Sequence, residues 1–293
     1  MAELLRSNPE KRPNPPAAGE RANDIDQGLI ERAAGDLGRR RDFPDRKPAR
    51  STGGATRTLA IDRNRLRQQS MISPDGERTP IAECFRRIKR QILANVASPK
   101  NGAPHANLIM VTSALPGEGK TFCSINLAIS IALEIDRTVL LVDADVAKPS
   151  VPQALGLEAG RGLMEVLLDP RIDLAEVLWK TDIGRLAILP VGTAHKHATE
   201  LLASDAMRGL LHEMAQRYRD RIIIFDSPPL LAASEAGVLA SQMDQIVVVV
   251  ESGKTSESAL KDALGHIDAG KVAGLLLNKG ESASLEYGYG GYG

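Results

Sequence analysis

Six short apolar runs constrain the fold more than any other feature of the chain. They are LIMVT (108–112), TVLLVDAD (138–145), LAILPV (186–191), RIIIFD (221–226), QIVVVVE (245–251) and VAGLLLN (272–278). Each is strand-sized and apolar through its body, not on alternate positions. Longer helical stretches, for instance 119–135 and 199–218, lie between most of them. Strands with no polar side, alternating with helices, belong to a parallel sheet buried on both faces. The expected fold class is therefore α/β, a mostly parallel sheet flanked by helices on both faces. Hydrophobic residues make up 43% of the chain but aromatics only 3%, so its core must be aliphatic. No internal repeat is visible.

The chain divides by composition into three parts. Residues 1–75 are rich in Pro, Gly, Arg and Asp and read as a mostly disordered leader. One island in it, 25–37, carries Leu29, Ile30, Ala33 and Leu37 at helical spacing behind Asp24. That island is either an isolated amphipathic turn or a partner-docking helix. Residues 76–281 form the folded domain. It opens with a helix over 79–97, whose Ile81, Phe85, Ile88 and Ile92 make one apolar stripe beside a charged face of Glu83, Arg86 and Arg90. Residues 282–293 form a tail. Lys+Arg equals Asp+Glu at 37 each, so no global charge draws nucleic acid, and none is expected as a partner. The arginine run 39–41 reads as solvated linker or as a contact for anionic lipid. Cys84 and Cys123 are too few for a disulfide framework. No run approaches the roughly 18–20 apolar residues of a membrane span, and a cytoplasmic protein is expected. His195, His197 and His212 fall into no metal-binding pattern and read as surface residues.

Chemistry enters at LIMVTSALPGEGKTF, a strand that turns through Pro116, Gly117, Glu118 and Gly119 into a helix begun by Lys120, Thr121 and Phe122. The pattern G-x-x-x-x-G-K-[ST] is met except that Ala114 replaces its first glycine. Backbone N–H groups of such a loop wrap a phosphate, and the helix N-terminus adds its dipole. Lys120 would reach the β- and γ-phosphates and Thr121 would offer its hydroxyl to Mg2+. Asp143 and Asp145 end one expected strand and Asp226 ends another. Ligands of open parallel sheets bind outside those carboxyl ends. One or two of the three carboxylates suffice for Mg2+. Another is free to position or deprotonate a nucleophile.

Three of the chain's four tyrosines, Tyr287, Tyr289 and Tyr292, stand among its last seven residues, YGYGGYG. A core is not built of tyrosine strung on glycine. TSALPGEGKT, VLLVDADVAKPS and IIIFDSPPLL resemble the Walker A, A′ and B motifs of the bacterial tyrosine autokinases of capsule and exopolysaccharide export, members of the MinD/ParA-like P-loop ATPase superfamily. IAECFRRIKRQIL resembles their Glu-x-x-Arg helix, and the tyrosine tail is a further mark. RLRQQSMISPDGERTPIAECFRRIKR and LIERAAGDL are most similar to the exosortase-associated branch.

The resemblance implies an ATP- and Mg2+-dependent protein-tyrosine kinase with a P-loop NTPase fold. It gives Lys120 the β/γ-phosphates, Thr121 the metal and Asp226 its hydration shell. Asp143 becomes the base for the tyrosine hydroxyl and also a metal neighbour, and Asp145 assists at the metal or the oligomer contact. Asn278 would touch adenine. Glu83 and Arg86, with Arg90, would form the subunit contact of a homo-oligomer. Tyr287, Tyr289 and Tyr292 would be phosphate acceptors, reached from a neighbouring subunit. The nine residues from Asn278 to Tyr287 span about 30 Å at full stretch. An inner-membrane polysaccharide co-polymerase would recruit and activate the chain, and a tyrosine phosphatase would reset it. Lys89 stands where the family pattern has its second arginine, and lysine is a poorer planar fork. Two other classes share these motifs, a partitioning-type ATPase switch and a nucleotide-gated adaptor. The first carries a lysine where this chain has Leu115, and its usual C-terminal membrane helix is missing here.

Overall fold

A computed structural model describes residues 58–75, 78–99, 106–217 and 220–280. The helix read at 25–37 and the tail tyrosines Tyr287, Tyr289 and Tyr292 lie outside the described residues. Among the described residues eight strands form one sheet in the order β1-β4-β5-β3-β6-β2-β7-β8. They are β1 (Thr58–Leu59), β2 (Leu108–Ser113), β3 (Thr138–Asp143), β4 (Trp179–Thr181), β5 (Leu186–Leu189), β6 (Arg221–Asp226), β7 (Gln245–Glu251) and β8 (Val272–Asn278). All neighbours run parallel except β4 and β5. Six of the eight are the runs read from the sequence. β1 and β4, of two and three residues, were not read.

The central strands are apolar at every position because each has two cores to serve. Met110, Leu140, Ile223 and Val248 point into one cluster, while Val111, Leu141, Ile224 and Val249 point into the other. Alternate residues of a strand face opposite sides, so neither side can be polar. Fully burying one such aliphatic side chain stabilises the fold by about 1.5–3 kcal/mol.

Among the described residues ten α-helices cover the sheet: α1 (Arg63–Gln68), α2 (Pro80–Ala97), α3 (Lys120–Ala132), α4 (Val151–Ala154), α5 (Leu163–Leu168), α6 (Leu174–Val177), α7 (Ala198–Leu202), α8 (Asp205–Arg217), α9 (Ser234–Ser241) and α10 (Glu257–Leu264). The stretch read as one helix over 199–218 is broken into α7 and α8. α2 starts where Thr79 caps it, its hydroxyl accepting from the Ala82 N–H, with Pro80 in the first turn. Phe85 and Ile92 of the apolar stripe are buried, and Ile81 and Ile88 pack partly buried against the same core. Gln245, at the start of β7, donates to the carbonyls of Ile92 and Ala106 and accepts from Asn95, which fixes α2 against the sheet.

Residues 58–75, assigned by composition to the leader, carry β1 and α1. Ile61, Leu66, Met71 and Ile72 are buried in the core. Asp182 accepts from the Ile61 N–H and pairs with Arg63, and Asn126 of α3 accepts from the Ile72 N–H at 2.7 Å. These four apolar residues fall at intervals of five, five and one, which fit neither a helix nor a strand period. Their burial depends on partners more than fifty residues away.

Candidate active site

Parallel pairing brings three strand ends together. β6 lies between β3 and β2, and Asp143 stands directly opposite Asp226 in the register. The loop after β2 therefore opens beside both carboxylates. Gly117 and Gly119 adopt φ of +88° and +97°, the region that favours glycine, so the loop folds back before entering α3. Gly119 caps α3 without a side-chain hydrogen bond. The first-turn N–H groups of this 13-residue helix thus face the loop as donors for an anion.

Glu118, read as a nucleotide-binding residue, turns its side chain away from the loop's mouth. It is buried at 2% exposure. Its carboxylate accepts from the Leu115 N–H at 2.6 Å, from the Glu251 N–H at 3.4 Å and from the Thr255 hydroxyl. The loop is thereby tied to the end of β7. Pro116 and Gly117 remain exposed and Phe122 half-buried. On the other side, the Asn278 amide donates to the Glu118 carbonyl at 2.9 Å and Lys279 donates to the Gly117 carbonyl at 2.7 Å. A Cβ on Gly119 would lie 2.1 Å from the Asn278 amide nitrogen, so glycine there lets Asn278 approach.

The remaining residues form one connected cluster. The Lys120 ammonium lies 3.6 Å from the Asp145 carboxylate, both nearly buried. Thr121 donates to Asp226 Oδ2 at 2.6 Å, and its hydroxyl lies 2.8 Å from that of Ser150. Ser124, one turn along α3, donates to Asp226 Oδ1 at 3.0 Å. Asp143 Oδ2 accepts from the N–H groups of Ser150 and Val151 at 3.0 Å each, and its Oδ1 has a longer contact of 3.4 Å to the Asp145 N–H.

Both strand-end carboxyls are buried side by side. Burial first, and then the neighbouring Asp226, raise Asp143 to about 7 despite the three N–H donors that oppose the shift. Burial likewise raises Asp226 to about 6 against the pull of Thr121, Lys120 and Ser124. Cys123, on the same helix, is pushed up to about 12, first by burial and then by Asp226, and is no nucleophile. The donors around Thr121, Ser150 and Asp226 are all oxygens, which suits Mg2+. Among the described residues no three His, Cys, Asp or Glu side chains cluster to hold a metal alone. The set fits a cation that keeps waters and phosphate oxygens in its shell.

Ser124, Ser150, Thr255 and Lys279 were not singled out from the sequence. Ser124 alone had a signal, standing four residues after Lys120 on a predicted helix. Glu83, Arg86 and Arg90 lie on α2. Glu83 pairs with Arg86 within the helix, and Glu83 and Arg90 are exposed. Lys89 points inward, donates to the Ser130 carbonyl at 2.9 Å and pairs with Glu134. It closes the C-terminus of α3 and is not presented on the charged face.

The model of the AAA domain family matches residues 106–273. The tyrosine-protein kinase YwqD of Bacillus subtilis is 33% identical over 237 residues, which span 79% of this chain and 96% of that protein. The succinoglycan biosynthesis transport protein ExoP of Rhizobium meliloti is 35% identical over 230 residues, 74% of this chain but only 27% of that longer protein. Among solved structures, the kinase domain of the Escherichia coli tyrosine kinase ETK matches at a TM-score of 0.60 and 25% identity, covering 78% of this chain and 93% of that one. No helix among the described residues is long and apolar enough to cross a membrane. The matched AAA domain and the 33% identity to YwqD across 96% of that protein identify the chain as a member of the bacterial tyrosine-protein kinase family.

Proposed function

We propose that this chain is an ATP- and Mg2+-dependent autokinase that phosphorylates Tyr287, Tyr289 and Tyr292 of a neighbouring copy and so regulates exopolysaccharide polymerisation and export. The observation that carries the reading is the connected cluster of Lys120, Asp145, Thr121, Asp226 and Asp143 beside the glycine loop that enters α3. In the reaction the tyrosine oxygen bonds to the γ-phosphorus, the bond to the β–γ bridging oxygen breaks, and ADP leaves. The loop N–H groups and the N-terminus of α3 hold the phosphates. Lys120 moves from Asp145 to the β- and γ-phosphate oxygens as their charge grows. Thr121 and Asp226 would hold Mg2+, which supplies charge neutralisation at those oxygens when bound. Asp143, near 7, suits a base that must be ionised yet take the phenol proton, and its Oδ1 is the less occupied side. Asn278, packed on the loop at Gly119, contacts the base of the nucleotide.

Glu83, Arg86 and Arg90 on α2 make the contact between copies. The relative named for succinoglycan transport supports a role beside a polysaccharide export system. An inner-membrane co-polymerase would recruit the chain to the membrane surface, and a tyrosine phosphatase would reverse the modification. The proposed exosortase-associated branch rests on the likeness of the segments 65–90 and 29–37. Two full-length chains test transfer between copies. Lys120→Met supplies acceptor tyrosines without a kinase; the triple variant Tyr287→Phe, Tyr289→Phe, Tyr292→Phe supplies a kinase without acceptors. Phosphotyrosine on the Lys120→Met chain only after mixing is expected. An active wild type with no transfer in the mixture would place the reaction within one copy.

A further inference from the structure

Beside the cluster lies an open groove of about 500 Å³, lined by Arg65, Gln69, Thr121, Phe122, Ser150 and Gln153. Two of these residues belong to the site already described. The Thr121 hydroxyl is bonded to Asp226, and the Ser150 N–H is bonded to Asp143. A molecule seated in the groove therefore ends at both the candidate metal ligands and the candidate base.

Arg65 is the unusual member. Its Nε is buried without a hydrogen-bond partner, and its guanidinium makes no ion pair among the described residues. A buried donor on a cation, left unsatisfied, is costly. Gly156, at φ +72°, packs behind it, and a Cβ there would meet Asp62 at 3.0 Å and the Arg65 stem at 3.5 Å. The backbone thus leaves room for the arginine at the groove wall. Phe122 presents an aromatic surface set by its edge contact with Phe85, with centroids 6.5 Å apart at 64°. An anion next to an aromatic ring is what these features would recognise.

The chain itself contains that pair. Residues 281–293 carry only acidic charges, Glu281 and Glu286, and Glu286 immediately precedes Tyr287. We infer that the groove is the acceptor-peptide site for the Glu286–Tyr287 pair of a second copy, with Arg65 as its specificity-determining residue. Glu286 pairs with Arg65, the Tyr287 ring lies along Phe122, and its hydroxyl is presented at Thr121 and Ser150. This assignment rests on the autokinase reading and adds an order, since Tyr287 is the tyrosine with an acidic neighbour.

The test uses the mixed full-length chains. Arg65→Glu is placed in the tyrosine-less kinase chain and Glu286→Lys in the Lys120→Met acceptor. Arg65→Glu against the unaltered acceptor is expected to slow Tyr287 phosphorylation roughly tenfold or more, mainly as a raised KM for the acceptor. The charge-swapped pair should recover most of that loss, and titration with a fluorescent ATP analogue should show nucleotide affinity unchanged within about twofold. A merely structural role for Arg65 predicts no recovery. Should Arg65→Glu not fold, Arg65→Lys serves, with a smaller loss that Glu286→Gln does not deepen. An unchanged rate, or loss without recovery, overturns the proposal while leaving the kinase reading intact. If no mixture shows phosphotyrosine, the kinase reading fails instead. The groove is then judged by fluorescence polarisation of a labelled 280–293 peptide, and equal binding to both Arg65 forms overturns it.

Discussion

Replacing Gly119 with alanine tests how the loop and the last strand are joined. The new Cβ would lie 2.1 Å from the Asn278 amide nitrogen and 3.4 Å from its Cγ, on a backbone at φ +97°. A non-glycine residue in that region costs about 1–2 kcal/mol. Asn278 must also withdraw, and losing its 2.9 Å bond to the Glu118 carbonyl costs about 1 kcal/mol more. The total, roughly 2–3 kcal/mol, corresponds to a fall in Tm of roughly 5–10 °C for a domain of this size. Asn278→Ala alone should cost about 1 kcal/mol, and on that background Gly119→Ala should cost only its backbone part. The four proteins form a double-mutant cycle with a coupling of about 1 kcal/mol, read by urea unfolding without nucleotide. Full additivity would refute the reasoning, because Asn278 would then not be the group that alanine displaces.

Further outcomes follow from the contacts of Lys89 and from the two buried strand-end carboxyls. Lys89→Met should destabilise by about 1–3 kcal/mol in urea unfolding, since the Ser130 carbonyl at the end of α3 loses its donor. Glu134→Gln should cost less than Lys89→Met, because Glu134 is 45% exposed. Asp143 and Asp226 are raised to about 7 and about 6 from 3.8, so between about pH 4 and 7 the folded chain keeps protons that the unfolded chain has released. Stability without nucleotide should therefore fall as pH rises through that window, and Asp226→Asn should flatten the fall. A wild type that grows more stable from pH 5 to 7.5 contradicts the buried pair. Binding of Mg–nucleotide near pH 6.5 should release protons, seen as a buffer-dependent heat in titration calorimetry.

The central sheet was legible because strands covered on both faces must be apolar throughout, as β2, β6 and β7 are. β1 and β4 were not legible, because two or three residues at a sheet edge show no periodicity and hold through partners such as Asp182. The leader boundary at 75 was misplaced for a related reason. Leu66 and Ile72 find their core across more than fifty residues of sequence, and composition averages over them. At the site, the loop and the strand-end carboxylates were legible as residue types at fixed spacing. Glu118 was assigned to nucleotide with its neighbours, but its side chain is claimed by Thr255 and the end of β7, more than 130 residues away. Lys89 was read only as the stand-in for the second arginine of the family's subunit-contact pattern. The carbonyl of Ser130 and the carboxylate of Glu134 draw it inward, which only the packing of α2 on α3 reveals.

The most direct test of the account maps phosphate on the tail. Purified protein is incubated with ATP and Mg2+, with the proposed membrane activator supplied in a parallel sample, beside a Lys120→Met control, and digested for mass spectrometry. The account predicts phosphate on Tyr287, Tyr289 or Tyr292 in the wild type and on none of them in the control. A tail that stays unmodified in both samples, with nucleotide shown to be bound, contradicts it.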